Sequence, residues 1–128
     1  MTQSHPPYDL TAIRNRTLND LDILDAPSEE SFDTITAVVA KHYDAPVALI
    51  SLLDDKRQCF KSEYGCDIGE TPIEYAFCTE TIKQDHALVI PDALEDPRFR
   101  DKAQADCYPE TLRFYAGAPI FAHNGTKI

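Results

Sequence analysis

The sequence predicts an α+β domain in which helices pack against an antiparallel sheet. Two amphipathic helical stretches come first. Short strand-like runs with turn residues between them follow, and a further helical start and a long polar connection interrupt those strands. The 128 residues suffice for one core.

From Leu10 to Leu24 the apolar positions Leu10, Ile13, Leu21 and Leu24 make a narrow helical stripe, which Ala26-Pro27 ends. Ser28 is placed to cap a second helix, and Glu29 and Glu30 suit the positive end of its dipole. Phe32, Ile35, Val38, Val39 and Tyr43 then recur at helical spacing.

Asp44-Ala45-Pro46 breaks that period. Val47 to Leu53 is apolar on both alternating faces, the pattern of a strand in the middle of a sheet. A polar turn, Asp54 to Arg57, leads into Gln58 to Tyr64, with Phe60 and Tyr64 on one face and Cys59, Lys61 and Glu63 on the other. This is a half-exposed strand closing a hairpin.

Thr71-Pro72-Ile73-Glu74 has the form of a capping box with proline at the first helical position. It predicts a helix, or at least a helical turn, from Tyr75 to about Lys83. Ala87 to Ile90 reads as a short strand, Pro91 to Tyr108 as a long charged connection, and Arg113 to Ala122 as the last full strand. Pro119 lacks an N–H and requires an edge or a bulge there. Asn124-Gly125 signals a two-residue hairpin loop, and Thr126, Lys127 and Ile128 begin the returning strand. The pattern announces a partner strand that the sequence does not contain.

The composition, 43% hydrophobic and 27% charged, is that of a water-soluble globular protein without a membrane-spanning run. Residues 1–9 are expected to be a flexible leader. Met1 to Tyr8 has neither the basic start nor the apolar stretch of an export signal, so a cytoplasmic location is expected. Twelve basic against twenty-two acidic residues give a net charge of −10, which disfavours nucleic acid and anionic membrane as partners. Cys59, Cys66, Cys78 and Cys107 lack the spacing of a zinc site, and His5, His42, His86 and His123 are scattered. Reduced thiols, no metal and no cofactor are expected.

Three segments together resemble the GAF domain family: NDLDILDAPSEESFDTIT from Asn19 to Thr36, ETPIEYAFCTETI from Glu70 to Ile82, and VIPDALEDPRFR from Val89 with RFYAGAPI from Arg113. The likeness covers about Arg14 to Ile128 and is nearest to GAF modules that precede diguanylate cyclase, histidine kinase or phosphodiesterase outputs in bacterial signalling proteins. It implies a GAF-like fold, related to the profilin and PAS arrangements, with the last central strand and the C-terminal helix missing from an incomplete domain over residues 10–128. That strand would lie between Val47 to Leu53 and Arg113 to Ala122. Three outcomes follow for the gap: the flanking strands close on each other, a strand from a second copy fills it, or the sequence is a piece of a longer protein.

The resemblance also implies a cavity for an unidentified small molecule between sheet and long loop, lined by Phe77, Cys78, Thr81, Asp92, Phe99, Tyr115 and Gly117. It implies a sensory or regulatory function and no catalytic residues. A cysteine-histidine pair, as in bilin-binding members, and an asparagine-lysine-phenylalanine motif, as in cyclic-nucleotide-binding members, are both absent. Two alternatives remain open: a ligand-free dimerisation module using Leu10, Ile13, Leu21 and Leu24, and an enzyme similar to free methionine sulfoxide reductases.

Overall fold

The computed structural model describes residues 10–23, 29–105, 107–108 and 111–128. The expected leader 1–9, the Ala26-Pro27 stop, the Ser28 cap and Leu24 lie outside the described residues. Helix α1 spans Leu10–Leu21 and buries Thr17 and Leu18. Leu18, which the expected stripe did not include, packs on Leu52 and Ile128, whereas Leu10 and Leu21 are exposed. The Arg14 Nε donates to the Leu53 carbonyl at 3.0 Å and clips α1 to the sheet.

Helix α2, Glu30–His42, has Glu30 and Asp33 in its first turn and Lys41 and His42 in its last, both favourable to the dipole. It packs on the first two strands through a small, polar face, Thr36 and Ala40. There the Ser62 hydroxyl donates to Asp33 Oδ1 at 2.6 Å and lies 2.9 Å from Thr36 Oγ1. Polar groups lost to solvent at this contact thus find partners. The aliphatic positions Ile35, Val38 and Val39 point outward.

Strands β1 (Ala48–Leu53), β2 (Arg57–Tyr64) and β3 (Glu70–Pro72) form an antiparallel sheet in the order β1-β2-β3. The register shifts between Ile50, opposite Ser62, and Ser51, opposite Phe60, so Lys61 is the extra residue of a bulge. This corrects the simple alternation expected of β2: Lys61 and Ser62 are both buried. Strands β4 (Leu88–Ile90) and β5 (Tyr115–Gly117) pair separately, Leu88 opposite Gly117 and Ile90 opposite Tyr115.

The expected long strand Arg113 to Ala122 is therefore cut to three residues before Pro119, with a bridge resuming at Phe121 opposite Lys127. The turn at Asn124 is also one residue longer than expected. Gly125 N–H donates to the Ala122 carbonyl and Ala122 N–H to the Thr126 carbonyl, with Gly125 at φ +84°, a type I turn closed by a left-handed glycine. The capping box is not formed. Thr71 instead lies buried in β3 and accepts a hydrogen bond from Gln58 Nε2 at 3.2 Å, and the helical segment divides into a 3₁₀ turn, Ile73–Tyr75, and a short helix α3, Cys78–Thr81.

Among the described residues the two sheets share no ladder, and β1 is the outer strand of its own sheet. Ile128 links β1 to the segment after β5: its N–H donates to the Ile120 carbonyl at 2.9 Å, and its carbonyl accepts from Leu53 N–H at 3.0 Å. No helix among the described residues is long and apolar enough to cross a membrane.

Candidate functional site

The long connection after β4 is built, not slack. It holds a 3₁₀ turn, Ala93–Glu95, and a short helix α4, Arg100–Ala103. Asp92 accepts from Leu94 N–H at 3.1 Å, capping the turn, and pairs with Arg113 through two bonds, Nε to Oδ1 at 2.9 Å and Nη2 to Oδ2 at 2.6 Å. These bonds hold the Asp92 carboxyl below its ordinary pKa, the Arg113 guanidinium foremost. Arg98 makes the same kind of fork on Asp96, at 3.2 and 2.9 Å. Both pairs are exposed, and their value lies in geometry more than energy.

Anchored in this way, the connection lowers Phe99 and Tyr108 onto α3 and β5. Phe77 stacks on Phe99 with centroids 4.9 Å apart, meets Tyr115 at 5.2 Å and meets the edge of Tyr108 at 6.0 Å. Phe99 also stacks on Tyr115 at 6.2 Å. Ile90, Ala93 and Ala103 complete this core. The Tyr115 hydroxyl lies 2.7 Å from Thr81 Oγ1 and 3.5 Å from Cys78 Sγ, so side chains rather than backbone satisfy it.

Burial, with the Cys78 thiol beside it, drives the Tyr115 pKa upward, and burial raises that of Cys78 against the hydrogen bonds from Tyr115 and Ser51. Burial and the Glu63 carboxylate push the Cys66 thiol up to about 11. Neither Cys66 nor Cys78 is held as the thiolate that nucleophilic or peroxide chemistry requires at neutral pH.

Of the seven residues expected to line a cavity, Phe77, Cys78, Thr81, Phe99 and Tyr115 meet in one cluster. Gly117 adjoins it, but the close approach it permits is that of Tyr115 itself, whose phenol lies over the Gly117 Cα. Asp92 does not join them, because Arg113 and Leu94 occupy its carboxylate.

Sequence reasoning missed three contributors. The Lys102 Nζ donates to the Ala76 carbonyl and to Thr79 Oγ1, each at 2.9 Å, and lies 5.9 Å from the Phe99 ring centre, while burial lowers its pKa. The Tyr108 hydroxyl donates to the Tyr75 carbonyl at 2.6 Å. Gln58 is buried, and its Oε1 finds no partner among the described residues. Tyr108 and Lys102 sit in the long connection, where no periodicity marks them.

A separate opening of about 830 Å³ lies between α1, the β1–β2 turn, α3 and the C-terminal hairpin. Leu10, Ile13, Ile73 and Ile82 line it together with Arg14 and Lys83, and none of the seven expected residues does.

A sheet with helices on it, a stapled connection and an aromatic site beneath that connection define a sensor-type domain. The GAF domain family matches residues 27–127, and the chain belongs to it. It is also 36% identical, over 124 residues, to a cyclic di-GMP phosphodiesterase of Pseudomonas aeruginosa. The match takes in 96% of this chain and 21% of that protein, so the chain spans about a fifth of the relative's length. Family and relative together make this a sensory domain of signal transduction.

Proposed function

We propose that the domain responds to a small molecule at the aromatic site, and that a planar ring with one hydrogen-bonding substituent is the chemistry it accepts. The observation that carries this is the lodging of Tyr115. Its ring lies against Phe77 and Phe99, and its hydroxyl is held by Thr81 and Cys78, so a ligand ring displacing it would inherit both stacking and hydrogen bonds. Signalling then requires that the ligand prefer one of two arrangements of the connection and β5, since equal affinity for both transmits nothing. The output is a linked module of the phosphodiesterase, diguanylate cyclase or histidine kinase kind, and the location is cytoplasmic.

The test uses p-cresol, the tyrosine side chain as a free molecule. Tyr115→Ala vacates a ring-sized space, and p-cresol should raise the melting temperature of this variant while leaving the parent chain unchanged. Failure to stabilise the variant, with native mass spectrometry finding no small molecule on the parent chain, rejects the reading.

The tight packing of the same cluster favours a second reading, an interaction module whose site stays closed by Tyr115. In that case p-cresol still binds Tyr115→Ala, but no metabolite binds the parent chain.

A further inference from the structure

We propose that the ligand of the aromatic site is an aromatic acid, whose ring takes the place of the Tyr115 ring and whose carboxylate is bound by the Lys102 ammonium. The inference rests on the reading of that site proposed above and adds to it the sign of the ligand's charge.

Around α3 and the long connection, other cations are matched. Lys83, Arg98 and Arg113 each hold a carboxylate within 2.9 Å. Arg100 is exposed, where water meets its charge. Lys102 is half-buried, and its ammonium has no carboxylate at ion-pair distance among the described residues. Glu80, whose charge is felt at Lys102, is bonded instead to Lys83 at 2.8 Å. With twenty-two acidic residues against twelve basic, this chain does not lack acids to pair with it.

A lysine ammonium has three N–H donors. Two of those on Lys102 go to neutral acceptors, the Ala76 carbonyl and Thr79 Oγ1, and the third finds no partner among the described residues. The two bonds fix the side chain but bring no negative charge, and a partly desolvated ammonium gains most from an anion. Burial lowers the Lys102 pKa, the direction expected of a cation short of counter-charge.

Position links this cation to the ring site. Phe99 is the shared neighbour, its centroid 5.9 Å from the Lys102 Nζ and 6.2 Å from the Tyr115 ring. The flexible four-carbon stem lets the ammonium meet an acid carried on a short tether from a ring in the Tyr115 place. A carboxylate there satisfies the third N–H and supplies the counter-charge while the ring keeps its stacking on Phe77 and Phe99. A neutral phenol supplies neither.

Isothermal titration calorimetry on the full chain carrying Tyr115→Ala tests this near neutral pH. The probes are p-cresol and two acids that extend it, 4-hydroxyphenylacetate and 3-(4-hydroxyphenyl)propionate. At least one acid should bind about tenfold more tightly than p-cresol. Adding Lys102→Gln should abolish that advantage and leave p-cresol within about twofold, a selective loss that a merely structural lysine would not produce. Circular dichroism confirms folding, and Tyr115→Val, better suited to a strand, replaces Tyr115→Ala if that variant is unfolded. If p-cresol binds and neither acid binds more tightly, or if the advantage survives Lys102→Gln, the acid is wrong and the ring reading stands. If none of the three binds, both fall.

Discussion

Tyr115 folds its phenol back over Gly117, two positions along the same strand, so that a Cβ at 117 would overlap the Tyr115 hydroxyl oxygen and ring edge. The glycine is thus required by a neighbouring side chain, not by its own backbone angle. Gly117→Ala should cost about 1–3 kcal/mol, as overpacking does. In Gly117→Ala/Tyr115→Ala the clash is gone, so the double variant should be more stable than the sum of the two losses predicts; urea unfolding of the four chains measures the coupling.

Alkaline pH should loosen the same core. Tyr108 and Tyr115 have folded pKa values raised by burial above the ordinary tyrosine value of about 10. A raised folded value means that their contribution is complete below the unfolded pKa and is lost as pH climbs beyond it. Cys66, pushed up to about 11, adds a loss that begins lower, from the ordinary thiol value of 9.0. Urea midpoints should therefore fall from about pH 9 upward. Cys78, raised by burial as well, shares this onset, so Cys66→Ser should make the fall from about pH 9 shallower without abolishing it, and Tyr115→Phe should flatten the steeper part above about pH 10.

The Asp92–Arg113 fork ties the start of the long connection to the segment entering β5. Asp92→Ala removes the fork and the cap on Leu94 together, and amide hydrogen exchange over residues 93–105 should quicken while β1 and β2 keep their protection. The depressed Asp92 pKa gives an acid counterpart. The fork's contribution is present above the unfolded carboxyl value of about 3.9 and disappears as pH falls through the folded one.

Contrasting substitutions in α2 should separate its two faces. Thr36→Val takes a buried hydroxyl from Ser62 and should cost about 1–2 kcal/mol in monomer stability. Val38→Ala, on the exposed side, should stay within about 0.5 kcal/mol under dilute conditions. Thermal melts at low protein concentration compare them.

Element order was legible in the sequence because period and turn residues are local. Both early helices, the β1–β2 hairpin and the strand near Ile90 fall where periodicity places them, and Pro119 ends β5 as a missing donor must. Orientation was not legible. Nothing local in α2 says that Thr36 and Ala40 will face inward, since that depends on Ser62, 26 positions away from Thr36.

The capping box at Thr71 failed for a similar reason: a strand partner, Gln58, claims the threonine hydroxyl before a helix can. The meeting of Phe77, Phe99 and Tyr115 was legible through the family resemblance. The pairing of Asp92 with Arg113 was not, because only the folded connection brings the two together.

Ile128 bridges β1 and the segment that follows β5, and in doing so it sets a phase. Its side chain packs with Leu18 and Leu52, so any ribbon that prolongs this ladder places its even-numbered side chains towards α1 and its odd-numbered ones on the opposite side. Two backbone bonds thereby decide, for every later position in such a ribbon, which of the protein's two interiors it would meet.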